Sequence, residues 1–433
     1  MLVRDLLIGS FKAALNAADP LQIVPQHLPP AERFAKGRAV VVGAGKAAAA
    51  MAKAVEDFYP PAVSVEGLVI TRYGHGLPLK RIRVVEAGHP VPDVSGEAAA
   101  KEIFDIVTSL SPDDFLIVLI SGGGSSLLSL PVEGVSMSDL KAVTKELLRC
   151  GAPIQKMNVV RKHISLIQGG RLAAATRAQV LALIISDVTG DDPTHIASGP
   201  TVPDPSTYQD ALDILYYYGI SPPLSVARYL SRGARGEVCE SLKPGDAVFD
   251  RVDNRVIATA HASLMMAAAY LQQRGVTPMM LGDSVTGESS EVAKVYAALA
   301  RQIHKYHHPM KPPVALISGG ETTVTLRTPV DQSGAIGRGG RCSEFLLSLA
   351  VELDGLPHTF ALACDTDGID GSEDNAGAVL TPDSLARAAK KGLDANKLLA
   401  RNESYAFFSA IDDIVVTGPT RTNVNDFRVI LIK

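Results

Sequence analysis

Val40-Val41-Val42-Gly43-Ala44-Gly45-Lys46-Ala47-Ala48 decides the fold class. A run of β-branched residues enters a glycine turn and leaves it as the alanine-rich segment 47–58, which has helical length and composition. A strand released through glycine into a helix opens a βαβ unit. Glycine lets backbone N–H groups approach an anion, and the helix N-terminus adds partial positive charge. Gly43, Gly45 and Ala48 fit the dinucleotide pattern G-x-G-x-x-G/A. The next strand, however, ends Ile70-Thr71-Arg72 and lacks the acid that binds an NAD ribose, although an arginine suits the extra phosphate of NADP. A P-loop is excluded, because it needs glycine at Val40 and Ser or Thr at Ala47. Lys46 stands at the first helical position, where the helix dipole disfavours a cation. A solvated surface lysine is the plain reading; a lysine held beside a bound phosphate is the functional one.

Outward from this stretch the same pattern repeats. Apolar runs at 38–42, 67–71, 115–120, 180–186, 255–260, 278–281, 313–317, 359–364 and 414–417 read as strands. Most are continuous rather than alternating, as in parallel sheets covered on both faces. Segments 262–274, 289–304 and 343–352 read as helices. The expectation is α/β, with two α/β/α sandwich domains. At 433 residues two domains are expected. The Pro-, Gly- and Ser-rich stretch 219–253 places their boundary near residue 235, giving domains 1–235 and 236–433.

With 46% apolar residues, 20% charged residues and a net charge of −4, the composition is globular. It gives no electrostatic reason to expect nucleic acid or an anionic membrane. No apolar stretch has spanning length, and the N-terminal repeat of Leu2, Leu6, Leu7, Phe11 and Leu15 reads as a helix, not a signal peptide. Cys150, Cys239, Cys342 and Cys364 lie far apart and read as reduced thiols. A cytoplasmic protein is expected.

Five further segments carry candidate chemistry. Ser121-Gly122-Gly123-Gly124-Ser125-Ser126 follows a strand and suits a phosphate nest. Asp187, in Ser186-Asp187-Val188-Thr189-Gly190, stands where a strand enters a loop and could hold Mg²⁺ or accept a hydroxyl proton; Asp191 and Asp192 read as turn residues. Ser318-Gly319-Gly320-Glu321-Thr322 echoes the first glycine loop, and Gly334-Ala335-Ile336-Gly337-Arg338-Gly339-Gly340-Arg341 offers two arginines for a transferring phosphoryl group. Cys364-Asp365-Thr366-Asp367-Gly368 resembles half a calcium loop, but its twelfth position is Ala376, which excludes an EF-hand; Asp365 stays a candidate metal ligand. In 417–426, Asn and Asp read equally as turn formers or site residues. Arg161, Lys162 and His163, near Arg171, form a basic patch that reads as a solvated helix face or as a help in holding the anionic substrate. Loops of both halves at strand ends predict a shared cleft. The inventory fits phosphoryl transfer.

Gly43-Ala44-Gly45-Lys46, Glu86-Ala87-Gly88-His89-Pro90, Ser121–Ser125, Val160-Arg161-Lys162-His163, Ile196-Ala197-Ser198-Gly199-Pro200-Thr201, Gly320-Glu321-Thr322 and the Gly337–Arg341 loop together resemble the class II glycerate kinases, over nearly the whole chain. Many such sequences carry a hydroxypyruvate reductase name. The resemblance implies a Rossmann-like N-terminal domain with a mainly parallel sheet, a smaller C-terminal domain of MOFRL type, and an active site in the interdomain cleft. It implies ATP-dependent phosphorylation of D-glycerate at the C2 hydroxyl with Mg²⁺ or a similar divalent ion. It makes Lys46 catalytic, and one of Arg338 and Arg341 the second catalytic residue. The expected nucleotide contacts are Gly43, Gly45, Ser121, Gly122, Gly123, Gly124, Ser125, Ser126 and Glu321. Arg341-Cys342-Ser343-Glu344 replaces the family's Arg-Asn-Gln-Glu, and Arg421 replaces a usual glycine. The competing readings are an NAD(P)H-dependent hydroxypyruvate reductase and a non-catalytic nucleotide-binding protein; monomer and homodimer both stay open.

Overall fold

The structure is a computed structural model describing residues 2–326 and 337–433. It divides into a larger unit, residues 20–257, and a smaller unit, residues 1–19 with 258–433. Gly334, Ala335 and Ile336 lie outside the described residues.

The larger unit is built on β1 (Ala39–Ala44), β2 (Val65–Arg72), β3 (Ile82–Ala87), β4 (Phe115–Ile120), β5 (Gln179–Ile185) and β6 (Val252–Ala258). The strand order is β3-β2-β1-β4-β5-β6, and the pairs among β1 to β5 are parallel. β1 and β4 are buried along their whole length, which their uninterrupted apolar sequence requires. The order reverses between β1 and β4, the point at which open α/β sheets bind ligands beyond their carboxyl ends. Register pairs Ala44 with Ile120, so the turns after β1 and β4 emerge side by side. Helices Met137–Arg149, Ile154–His163, Tyr208–Tyr217 and Leu224–Ala234 form a second core around Val143, Val160, Tyr208 and Leu230.

The smaller unit holds β7 (Thr277–Gly282), β8 (Gly287–Glu288), β9 (Val314–Ser318), β10 (Thr322–Thr323), β11 (Thr359–Asp365), β12 (Gly377–Leu380), β13 (Ile414–Val415) and β14 (Asp426–Ile432). Its main sheet runs β13-β12-β11-β14-β9-β7. β7 and β9 are parallel, whereas β14 is antiparallel to β9 and β11, and β12 is antiparallel to β11 and β13. Leu316, Ala363, Ile430 and Ile432 pack on helices Ser289–Tyr306 and Arg341–Leu353. Their alternates Ala315, Ile317, Val429 and Leu431 pack on helices Val3–Asn16 and Ala260–Gln272. Continuous apolar runs therefore report burial on two faces here, not parallel pairing.

The expected boundary near residue 235 is corrected at both ends. Residues 236–257 stay with the larger unit, because β6 is the sixth strand of its sheet. The N-terminal helix belongs to the smaller unit, where Leu6, Leu7, Phe11 and Ala14 are buried against Leu264, Leu271 and Val429. The stretch 219–253 lies inside one unit and contains the core helix Leu224–Ala234 rather than a linker.

Gly43 lies within β1, and a Cβ there would stand 2.2 Å from the Leu119 carbonyl oxygen of β4. Gly43→Ala is expected to destabilise the protein by about 1–3 kcal/mol in denaturant unfolding, with no ligand present. Unchanged stability would contradict a packing role for this glycine.

Candidate active site

The turns after β1 and β4 are bonded to each other. The Lys46 N–H donates to the Gly122 carbonyl at 2.8 Å, and the Ala47 N–H donates to Ser121 Oγ at 3.0 Å. The Gly45 N–H goes to the Ile70 carbonyl at 3.1 Å, and the Ala48 N–H to the Gly45 carbonyl at 3.1 Å. Gly45 is required for this approach: its φ is +138°, and a Cβ would stand 2.1 Å from Ser121 Oγ. The first turn thus spends its N–H groups within the protein, and with Gly43 inside a strand, neither Gly43 nor Gly45 offers the expected phosphate cradle.

The second turn is different. The N–H groups of Gly122, Gly123 and Ser125 have no acceptor among the described residues. Gly123 is left-handed at φ +82°, and a Cβ there would meet the His89 ring at 2.9 Å. The hydroxyls are committed: Ser121 to Ala47, Ser125 to Ser198 Oγ at 2.9 Å, and Ser126 to the Gly123 carbonyl at 3.1 Å. Ser121–Ser126 therefore presents backbone donors rather than side-chain hydroxyls. Half-buried Lys46 follows directly from the adjoining turn.

Asp187 is half-buried, two residues beyond β5, and β5 is the next strand to β4. Asp192 accepts from the Thr194 N–H at 2.9 Å, and Asp191 has φ +54°, so both are turn residues as expected. Among the described residues no three His, Cys, Asp or Glu side chains converge as a metal site. Mg²⁺ needs only one or two carboxylates when phosphate oxygens and water complete its shell. Asp187 suits that role by position and type.

Asp365 has another task. Arg341, at the start of helix Arg341–Leu353, reaches Asp365 Oδ2 at 2.8 Å, Asp426 Oδ1 at 2.7 Å and Glu321 Oε1 at 3.1 Å. Asp426 also binds fully buried Arg428, which donates to the Gly319 carbonyl and to Thr322 Oγ1, each at 3.1 Å. Burial alone would lower the Arg341 pKa; the carboxylates of Asp426, Asp365 and Glu321 outweigh it and hold the pKa well above its ordinary value. Arg341 is thus anchored at a strand end, not mobile, and Asp365 carries a guanidinium where a metal was expected. Arg338 lies elsewhere, exposed, bidentate on Glu373 at 2.6 and 3.1 Å and over the Tyr405 ring. Asp370 accepts from the N–H groups of Cys342 and Ser343 and so caps the helix that carries Arg341.

The solvated-face reading of the Arg161–His163 patch is corrected. Lys162 and His163 are buried, with Lys162 Nζ 3.3 Å from Asp204 Oδ1. Half-buried Arg161 donates to Asn158 Oδ1 at 3.4 Å. The adjoining segment contains Ala197 at φ +50° and Ser198 at φ +58°, both non-glycine residues in the left-handed region. The one signal available was the mixed Asn and basic composition of a helix that shows no clean apolar face.

A cavity of about 250 Å³ in the smaller unit is lined in part by Thr322, Gly340, Arg341, Glu344 and Asn402. Burial pushes the Glu344 carboxyl up to about 7, against a hydrogen bond from Asn402 Nδ2 at 3.0 Å that favours its ionised form. The folded pKa exceeds the unfolded value, so the protonated group fits the fold and stability declines as pH rises from about 4.5 to about 7. Glu344→Gln removes that penalty, which reaches roughly 3 kcal/mol. Thermal unfolding should show the variant gaining more over the wild type near about pH 8 than near about pH 5; equal gains at both would overturn the assignment.

Two family models match the chain. Residues 6–231 match the domain of unknown function DUF4147, and residues 314–426 match the MOFRL family. A protein of Agrobacterium vitis with a provisional hydroxypyruvate reductase name is 48% identical over 99% of this chain and 94% of its own length. The glycerate 2-kinase of Pyrococcus horikoshii is 38% identical over 99% of this chain and 97% of its own. The crystal structure of glycerate kinase from Thermotoga maritima superposes with a TM-score of 0.86 at 35% identity, covering 100% of this chain and 99% of that one. The chain belongs to the MOFRL family of class II glycerate kinases.

Proposed function

We propose that this protein is an ATP-dependent kinase that transfers the γ-phosphoryl group to the C2 hydroxyl of D-glycerate, giving 2-phosphoglycerate and ADP. The names of the Pyrococcus and Thermotoga relatives support the substrate. The observation that carries the reaction type is the bond from the Lys46 N–H to the Gly122 carbonyl, which joins a lysine-bearing turn to one with three open backbone donors.

In this reading the N–H groups of Gly122, Gly123 and Ser125 bind phosphate oxygens, and the Lys46 ammonium neutralises charge on the transferring group. Asp187 accepts the C2 hydroxyl proton as that oxygen bonds to phosphorus and the bond to the ADP oxygen breaks. A divalent cation, when bound, offsets charge on the phosphate oxygens, and Asp187 is also the residue placed to contact it. Arg341, not Arg338, is the second catalytic cation. Glu321 is the most exposed of its three carboxylates, at 55% of the side chain, so a phosphate oxygen exchanges most easily with Glu321.

The reductase name of the Agrobacterium relatives calls for a comparison. Pyrophosphate of a dinucleotide would need the N–H groups of the first turn, and Gly45, Lys46, Ala47 and Ala48 have already committed theirs. This favours phosphoryl transfer.

Purified protein with ATP, Mg²⁺ and D-glycerate is expected to release ADP, with the product phosphorus resonance coupled to the C2 proton. Lys46→Ala should lower kcat about 100-fold or more with a small change in KM. Oxidation of NADPH by hydroxypyruvate without ADP release in the glycerate assay would overturn the proposal.

A further inference from the structure

The end of helix Ile154–His163 carries three basic side chains, and among the described residues only one lacks an opposite charge. Lys162 is matched by Asp204. His163 Nδ1 donates to the Val159 carbonyl, 2.7 Å away, and the ring faces Glu240 and Asp204. Arg161 has no carboxylate within 4.0 Å among the described residues. Burial presses its pKa down to about 10, which still leaves it charged at neutral pH. A guanidinium has five donors, and a half-buried one with a single 3.4 Å contact is costly unless an anion completes it.

The same contact ties Arg161 to the candidate site. Asn158 Oδ1 also accepts from Ser198 Oγ at 3.1 Å, and Ser198 Oγ lies 2.9 Å from Ser125 Oγ. Three hydrogen bonds therefore link the guanidinium to a residue whose N–H is open. The Asn158 amide is held from its other side by the His195 carbonyl at 3.1 Å, and Gln168 Nε2 holds the Ser125 carbonyl at 3.0 Å. Ser198 is fixed by strained backbone, with a Cβ on Gly124 meeting the Ala197 Cβ at 2.6 Å.

We propose that Arg161 determines substrate specificity by gripping the carboxylate of the hydroxy acid, while the Asn158–Ser198–Ser125 relay sets its position against the phosphate-binding turn. This rests on the glycerate kinase reading. The ligand chemistry follows from charge. One guanidinium is neutralised by one carboxylate and matches it bidentately. A triphosphate tail carries several charges and calls for the open N–H groups, Lys46 and a metal together.

The test uses the full chain, with Arg161→Gln and Arg161→Lys. A charge-assisted pair predicts that Arg161→Gln raises KM for D-glycerate at least about tenfold, while KM for ATP moves less than about twofold. Arg161→Lys restores part of the loss, because an ammonium keeps the charge without the fork. Calorimetric titration of D-glycerate into nucleotide-free protein should show binding in the wild type and its loss in Arg161→Gln; glycerol, which lacks the carboxylate, should bind neither. A shift in KM for ATP instead, or unchanged KM for both substrates, overturns the assignment. Should Arg161→Gln fail to fold, the same two KM values in Arg161→Lys decide it. Wild-type protein that binds D-glycerate through Arg161 yet releases no ADP would refute the kinase reading and leave the carboxylate grip standing. Wild-type turnover with an indifferent Arg161→Gln would do the reverse.

Discussion

The structure depends on the close approach of two glycine turns at the carboxyl edge of one parallel sheet. The Ala44–Ile120 register delivers them side by side, and Gly45 lets Ser121 come near enough to cap the helix beginning at Ala48. This contact has a chemical consequence. Every N–H from Gly45 to Ala48 is satisfied internally, so the first turn is rigid and carries the lysine. The anion-binding donors move to the second turn, where Gly122, Gly123 and Ser125 point theirs at no protein acceptor among the described residues. One turn supplies the charge and its neighbour the cradle, which a single dinucleotide-type turn would have to combine.

The smaller unit solves a different problem, the placing of a cation at a sheet end without losing it to solvent. Two arginines and three carboxylates interlock there. Arg428 is wholly buried in β14 and would be costly alone; Asp426, the Gly319 carbonyl and Thr322 engage its two terminal nitrogens. Asp426 in turn orients Arg341. Removal of either acid would leave a buried charge, so the network fixes one geometry for Arg341 and leaves Glu321, at the exposed edge, as the exchangeable partner.

How much of this was legible follows from what each signal reports. The inner strands of the larger unit read directly, because two-sided burial enforces apolar runs such as Phe115–Ile120, which the structure reproduces residue for residue, whereas the half-buried edge strand β3 was missed. β14 was missed because Arg428 interrupts Asp426–Ile432, and only the fold shows that this arginine is neutralised in place. Strand direction in the second sheet was hidden because burial, not orientation, sets composition. The boundary was misplaced because proline and glycine mark any loop, whether it joins domains or helices. At the site, the glycine turns, Lys46 and Asp187 were visible as residue types at strand ends. The division of labour between turns was not, since it rests on which N–H groups find acceptors across 74 residues of separation, as with Ala47 and Ser121. Arg421 makes the converse point: its φ of +59° shows why glycine is usual there, and the strain of a side chain in that region is about 1–2 kcal/mol.

The same strain argument applies with more force beside the phosphate turn. Ala197 and Ser198 both sit in the left-handed region, ahead of Gly199 at φ +60°, and each non-glycine residue there costs about 1–2 kcal/mol. An unstrained loop could have closed this part of the chain. What the strained one achieves is a buried Ser198 hydroxyl held between Asn158 and Ser125, and with it a fixed path from Arg161 to the open N–H of Ser125. Strain retained next to an uncompensated cation is the expected mark of preorganisation: both costs are carried in the free protein, and an anionic ligand that completes the guanidinium offsets them on binding.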